Sequence, residues 1–114
     1  MKTLTPGQIV QLQLDAYNVR DLDAFCRYYA DDVVIADYRG AESSKGLAAL
    51  RDRYAKLFAE HPANHVVLLG RIIVGNVVVD HEEVRRSPDA EPFYVAAIYT
   101  IAAGKIARAE FVRA

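Results

Sequence analysis

At Pro62 the spacing of apolar side chains changes from mainly helical to extended, and that change fixes the class of fold. Before it, apolar residues recur at helical intervals. Thr5-Pro6-Gly7-Gln8 opens a helix: Thr5 caps, Pro6 suits the first helical position and Gln8 completes a capping box. Ile9, Leu12, Ala16 and Val19 then share one face, with Val10, Leu14 and Tyr17 beside it. Asp21 caps a second, short helix that turns Leu22, Phe25 and Tyr29 inward. Val33 to Tyr38 is a β-branched run that Gly40 ends, with the Asp31-Asp32 pair at the junction of helix and strand. Ser44 is placed to cap a third helix, whose stripe is Leu47, Leu50, Tyr54, Leu57 and Phe58 and which Pro62 stops.

Beyond Pro62 the pattern is extended. Val66 to Val74 is one apolar strand, Gly75-Asn76 a two-residue hairpin turn, and Val77 to Arg86 the return strand, with Arg85-Arg86 as a solvated tip. A polar, proline-bearing loop over 87–92 leads to strands over 93–102 and 105–112, joined at Gly104. Helices followed by strands predict an α+β fold with a meandering antiparallel sheet.

Composition bounds the rest. With 114 residues, 53% of them apolar and 25% charged, the chain reads as a single domain spanning 1–114 with one core and room for one pocket. It is too apolar and too nearly neutral to be disordered. Fourteen basic against fifteen acidic residues leave a net charge of −1, which gives no footprint for a nucleic-acid partner. No apolar run approaches the roughly 18 residues a membrane span needs. Met1 to Pro6 lacks the apolar stretch of a secretory leader, so the expected location is cytoplasmic. A lone Cys26 excludes an intrachain disulfide and a thiolate metal cage.

Function enters through strand 93–102, which is apolar on both faces: Phe93, Val95, Ala97, Tyr99 and Ile101 on one, Tyr94, Ala96, Ile98 and Thr100 on the other. One face packs on the helices, and the other needs a cover, for which a second subunit is the economical answer. In the last strand, period two groups Ala107, Ala109 and Phe111 on one side and Ile106, Arg108, Glu110 and Val112 on the other. Two alanines beside Phe93, Tyr99 and Tyr54 leave either a cavity or a core that bulky neighbours fill. Asp37, at the end of an apolar strand, is either a carboxylate on the pocket wall or a solvated turn residue. Desolvation at such a wall raises proton affinity, and a base of that kind can abstract a proton next to a carbonyl. His81 shares its face with Val77, Val79 and Glu83, away from Asp80 and Glu82, and it enters the pocket if that face is the inner one. Tyr17, Tyr28, Tyr29, Tyr54 and Tyr99 bring polar tips on apolar bodies and serve equally as core. There is no phosphate-binding glycine loop or nucleophile elbow, and His61 and His65, which flank the Pro62 loop, read as turn residues whose spacing alone is weak evidence for a metal, so no metal site is expected.

The segment Asp15-Ala16-Tyr17-Asn18-Val19-Arg20-Asp21-Leu22-Asp23-Ala24-Phe25, followed by Tyr29-Ala30-Asp31-Asp32-Val33, resembles the nuclear transport factor 2-like superfamily, most of all its SnoaL-like and ketosteroid isomerase branch. Lys45-Gly46 and Gly104-Lys105-Ile106 also match, and the resemblance covers nearly the whole chain. It implies a cone in which a strongly curved antiparallel sheet wraps around three N-terminal helices and encloses a pocket, and a homodimer through the sheet's outer face. It puts the catalytic base at Asp37 and hydrogen-bonding tyrosines at Tyr29 and Tyr54. The oxyanion tyrosine position falls at Gln13 and the protonated aspartate position at Ala97, so both donors are missing. Losing one such donor costs on the order of a hundredfold in rate, which argues against a true steroid isomerase.

The expected pocket wall is therefore Gln13, Tyr17, Tyr29, Tyr54, Phe58, Phe93, Ala97, Tyr99 and Phe111, with Asp37 and His81 as the groups that move protons. Two classes of function remain. One is a cofactor-free isomerase or cyclase of a small apolar or carbonyl-containing compound. The other is a non-catalytic ligand-binding or dimerisation module of the same fold.

Overall fold

The computed structural model describes residues 3–114; Met1 and Lys2, part of the stretch read above for a leader, lie outside them. The elements run α1 (Pro6–Asn18), α2 (Leu22–Arg27), β1 (Tyr29–Asp37), β2 (Glu42–Lys45), α3 (Leu47–Glu60), β3 (His65–Val74), β4 (Val77–Arg85), β5 (Phe93–Ala102) and β6 (Lys105–Arg113). One curved, unclosed sheet orders the strands β2-β1-β6-β5-β4-β3, with the helices against its inner face. No helix among the described residues is long and apolar enough to cross a membrane.

The helix starts follow the local rules. Gln8 N–H donates to Thr5 Oγ1 at 3.2 Å and Thr5 N–H donates to Gln8 Oε1 at 2.9 Å, closing the capping box of α1. Asp21 Oδ1 accepts from Ala24 N–H at 3.1 Å at the start of α2. At the other end of α1, Asn18 clasps β3: its amide donates to the Val66 carbonyl and accepts from Val66 N–H, both at 2.9 Å.

Four expectations need correction. First, α2 stops at Arg27, and Tyr29 opens β1 instead of lying on the helix; Ile106 N–H takes the Tyr28 carbonyl at 2.8 Å and draws the chain into the sheet. Second, Ser44 does not cap α3 but pairs with Ile35 in β2. Gly46 stands at the N-cap with φ 92°, a conformation that glycine adopts without strain, and its N–H reaches the Val33 carbonyl at 2.7 Å. Third, the sheet is not antiparallel throughout: β3 to β6 form an antiparallel meander and β1 pairs antiparallel with β2. β1 runs parallel to β6, from Tyr29↔Ile106 to Asp37↔Phe111, so the sheet is mixed. Alternation reveals a buried face, not the direction of the partner strand. Fourth, the register shift between Thr100↔Arg108 and Ile101↔Ile106 leaves Ala107 as an extra residue, which brings Ile106 as well as Ala109 into the core.

A second bulge positions the site. Leu69 is the extra residue between Leu68↔Glu82 and Gly70↔His81. Strict alternation from Leu68 would send Arg71 outward; the bulge returns it to the inner face. There it meets Asp80, whose side chain is 0% exposed, with Nε to Oδ1 at 2.7 Å and Nη2 to Oδ2 at 2.9 Å. Arg71 Nη1 also donates to Gln11 Oε1 at 2.9 Å, tying α1 to β3 and β4. On the outer face, Val67, Ile72, Tyr94 and Val112 remain exposed in the single chain.

Removing one partner of a buried ion pair strands the other charge, at a typical cost of about 3–5 kcal/mol. Arg71→Met is therefore expected to destabilise the protein by about 3 kcal/mol or more, read as a lower urea midpoint at constant slope. A change within about 0.5 kcal/mol would mean the pair carries no structural weight.

Candidate functional site

Between the helices and the inner face of the sheet lies a cavity of about 140 Å³. That is close to the volume of a dry cavity that holds one benzene ring. Its wall is built from α1 (Gln13, Tyr17), the α2–β1 segment (Phe25, Tyr29), α3 (Tyr54, Leu57) and alternate residues of the strands, among them Glu82, Val84, Phe93, Val95, Tyr99 and Phe111. Aromatic rings fix the floor. Phe25 packs on Tyr54 and Tyr29 with centroids 4.6 and 4.9 Å apart.

The structure brings together Gln13, Tyr17, Tyr29, Tyr54, Phe93, Tyr99 and Phe111 of the expected wall. Phe58 is buried behind it, 5.5 Å centroid to centroid from Tyr17. Ala97 is buried on the inner face but in register with Asp80 and Phe111, outside the cavity lining. The two proton-transfer candidates lie elsewhere. Asp37 keeps the alternation of Val33 and Ile35, but it is the last residue of β1, where the strand runs past the core, and it is exposed. It borders a separate surface depression that shares only Phe111 and Arg113 with the cavity. His81 is exposed on the outer face, 6.4 Å from the Tyr94 ring, because β4 turns Val78, Asp80, Glu82 and Val84 inward and Val77, Val79 and His81 outward.

That choice of face puts Glu82 inside. It is 5% exposed and is the only carboxyl on the cavity wall among the described residues. Burial first, and the Asp80 charge second, push its pKa from 4.5 up to about 8 against the opposing Arg71 guanidinium. Asp80 thus has a bidentate counter-ion, whereas Glu82, two residues on, has no ion-pair partner among the described residues.

Facing it is a chain of polar side chains. Tyr29 O–H donates to Gln13 Oε1 at 2.8 Å, and Gln13 Nε2 donates to Tyr99 Oη at 3.4 Å. The Tyr99 hydroxyl accepts in this chain, so its own proton is available to a ligand. Burial raises the pKa of Tyr29 and Tyr99 well above 10 and pushes Tyr54 up to about 12, which keeps all three phenols neutral donors. Glu82 is the charge that bears most strongly on Tyr99. A second cluster sits beside Tyr17. Asn64, 1% exposed, donates to the Tyr17 hydroxyl at 2.5 Å and accepts from Arg86 Nη1 at 2.9 Å. Arg86 is therefore a wall residue and not a solvated tip; it lies just past β4 and is drawn in by Asn64.

The raised Glu82 pKa has a thermodynamic sign. Between about pH 4.5 and about pH 8 the folded chain holds a proton that the unfolded chain has released, so the stabilisation is complete below that window and lost above it. Wild-type stability measured relative to Glu82→Gln is expected to fall by up to ~1.4 kcal/mol per pH unit across the window. Parallel pH profiles for the two proteins would contradict the assignment.

Solved structures share this architecture. An uncharacterized cystatin-fold protein from Novosphingobium aromaticivorans aligns at 34% identity with a TM-score of 0.90, covering 96% of this chain and 99% of that one. A candidate polyketide cyclase from Sinorhizobium meliloti aligns at 25% identity and TM-score 0.79, covering 96% and 100%. A candidate ketosteroid isomerase from Kribbella flavida shares the fold at 15% identity and TM-score 0.79, over 93% of this chain and 75% of that one. No curated protein matches the sequence. The SnoaL-like domain model matches residues 10–109, and the chain belongs to that family, within the nuclear transport factor 2-like superfamily.

Proposed function

We propose that this protein is a cofactor-free proton-transfer enzyme, an isomerase or cyclase, acting on a carbonyl compound with a body of about one ring. The observation that carries the reading is the isolation of Glu82. It is one carboxyl without a counter-ion in a wall of rings and phenols, with a pKa of about 8 where a base for carbon acids works best. The cyclase and isomerase candidates of the same fold favour this class of chemistry over other uses of a small cavity.

The sequence of events follows from the groups present. Ionised Glu82 takes a proton from the carbon next to the substrate carbonyl. The developing enolate oxygen accepts a hydrogen bond from the neutral Tyr99 hydroxyl, which Gln13 and Tyr29 hold in place. Protonated Glu82 then returns its proton to the γ-carbon of a substrate that carries a β,γ double bond, completing an isomerisation, or the enolate attacks a second carbonyl of the same molecule, completing a cyclisation. The proton balance closes on Glu82 in the first case. In the second, Glu82 delivers the proton to the new alkoxide. Tyr99 stands in for the donors absent at positions 13 and 97. The cavity volume suits a single ring better than a fused four-ring steroid.

Exchange of α-protons in deuterium oxide, followed by NMR with 4-phenyl-2-butanone as probe, tests this directly. The enzyme-dependent rate is expected to rise with pH through an apparent pKa of about 8, because only ionised Glu82 accepts a proton. Glu82→Gln is expected to lower it by about a hundredfold or more. Tyr99→Phe is expected to lower the rate on the order of a hundredfold while preserving the pH profile. An exchange rate unchanged in Glu82→Gln would overturn the assignment.

A further inference from the structure

The chemistry above gives no task to one side of the cavity. Three guanidinium groups border it from three separate elements: Arg53 on α3, Arg86 just past β4 and Arg113 at the end of β6. Among the described residues, every ion pair involves other side chains, so none of the three has a carboxylate within 4.0 Å. Glu82 does not serve them either. The charges that act on Glu82 are Asp80 and Arg71, whereas Arg86 acts on Tyr17, and Arg53 and Arg113 act on Tyr54.

Converging cations without a counter-charge are unfavourable, the more so at a partly dry wall. These three are nevertheless held in place. Arg86 is fixed by Asn64 and stacks 5.0 Å from the centre of the Phe93 ring; Arg113 lies 5.8 Å from the same ring. Arg53 Nη1 donates to Ser43 Oγ at 2.8 Å. A guanidinium stacked on a ring keeps its N–H edge free, and that edge fits a carboxylate. Arg113 is exposed, so this end of the cavity meets solvent, and Glu82 marks the buried end.

We propose that the ligand is an anionic carbonyl compound, a one-ring apolar body bearing a carboxylate. The carboxylate sits at the mouth on Arg86 and Arg113, with Arg53 beside them, and the carbonyl points inward to Tyr99 and Glu82. This deepens the reading of the cavity as a proton-transfer site by naming the substrate class, and it rests on that reading for the placement of the carbonyl. An anionic handle held at the mouth orients the molecule with its carbonyl toward the inner end.

Isothermal titration of 3-phenylpropanoate against 3-phenylpropanamide at neutral pH separates charge recognition from shape and from turnover. The carboxylate is expected to bind at least about tenfold tighter than the amide, with the preference shrinking as salt is added. Arg113→Gln, at an exposed residue with no ion pair among the described residues, is expected to weaken carboxylate binding by about tenfold and to narrow the preference over the amide. Equal affinity for the two probes, binding of neither, or carboxylate binding that survives intact in both Arg113→Gln and Arg53→Gln overturns the proposal. The two readings fail separately. Glu82-dependent exchange with no preference for the carboxylate sinks the anion site alone. A clear preference with no Glu82-dependent exchange sinks the proton transfer, and the charged mouth survives.

Discussion

Two acidic residues on the inner face of one strand, of which the first alone has an ion-pair partner among the described residues, govern the rest of this structure. Strand β4 buries Asp80 and Glu82 together. Burying two unpaired carboxylates side by side is prohibitive, and the fold resolves the conflict unequally. The bulge at Leu69 turns Arg71 onto Asp80, and Gln11 of α1 completes the guanidinium's partners. Asp80 is thereby satisfied as an ion. Glu82 is relieved instead by holding its proton, at the edge of a cavity and not in solid packing. One feature of strand pairing thus fixes both the anchoring of α1 and the unusual proton affinity of the inner carboxyl.

The aromatic wall gives that carboxyl its setting. Phe25, Tyr29, Tyr54 and Tyr17 come from helices and the first strand, Phe93 and Tyr99 from the far side of the sheet. Rings carry large area on few rotatable bonds, so they can bound a space without collapsing into it. The hydroxyls of Tyr17, Tyr29 and Tyr99 lie on two polar tracks. One runs Tyr29–Gln13–Tyr99 and the other Tyr17–Asn64–Arg86. The first faces the buried acid and the second the arginine mouth, so the cavity is polarised from end to end.

Much of the fold was legible in the sequence because it is written locally. The capping box at Thr5 and Gln8, the cap at Asp21 and the Gly75-Asn76 hairpin each need only neighbouring residues, and each is present. The inner face of β5 was also readable, since Phe93, Val95, Ala97, Tyr99 and Ile101 alternate cleanly. Strand β4 was not. Valines stand at 77, 78 and 79, so either face could be the core, and charged residues follow on both. The deciding partner is Arg71, which reaches Asp80 only through a bulge that no local pattern announces. Reading the other face inward is what promoted His81 and hid Glu82. Asp37 illustrates a different limit: its parity is right, but exposure at a strand's last residue depends on how far the neighbouring elements extend. Arg86 depends on Asn64, twenty-two residues away, and no spacing rule links them.

At neutral pH the Glu82 carboxyl holds its proton. Carbon-13 NMR of protein labelled at the glutamate side-chain carboxyl, with Glu82→Gln used to assign the resonance, reads this directly. The resonance lost in Glu82→Gln is expected to titrate near pH 8; titration of that resonance near 4.5 would contradict the assignment.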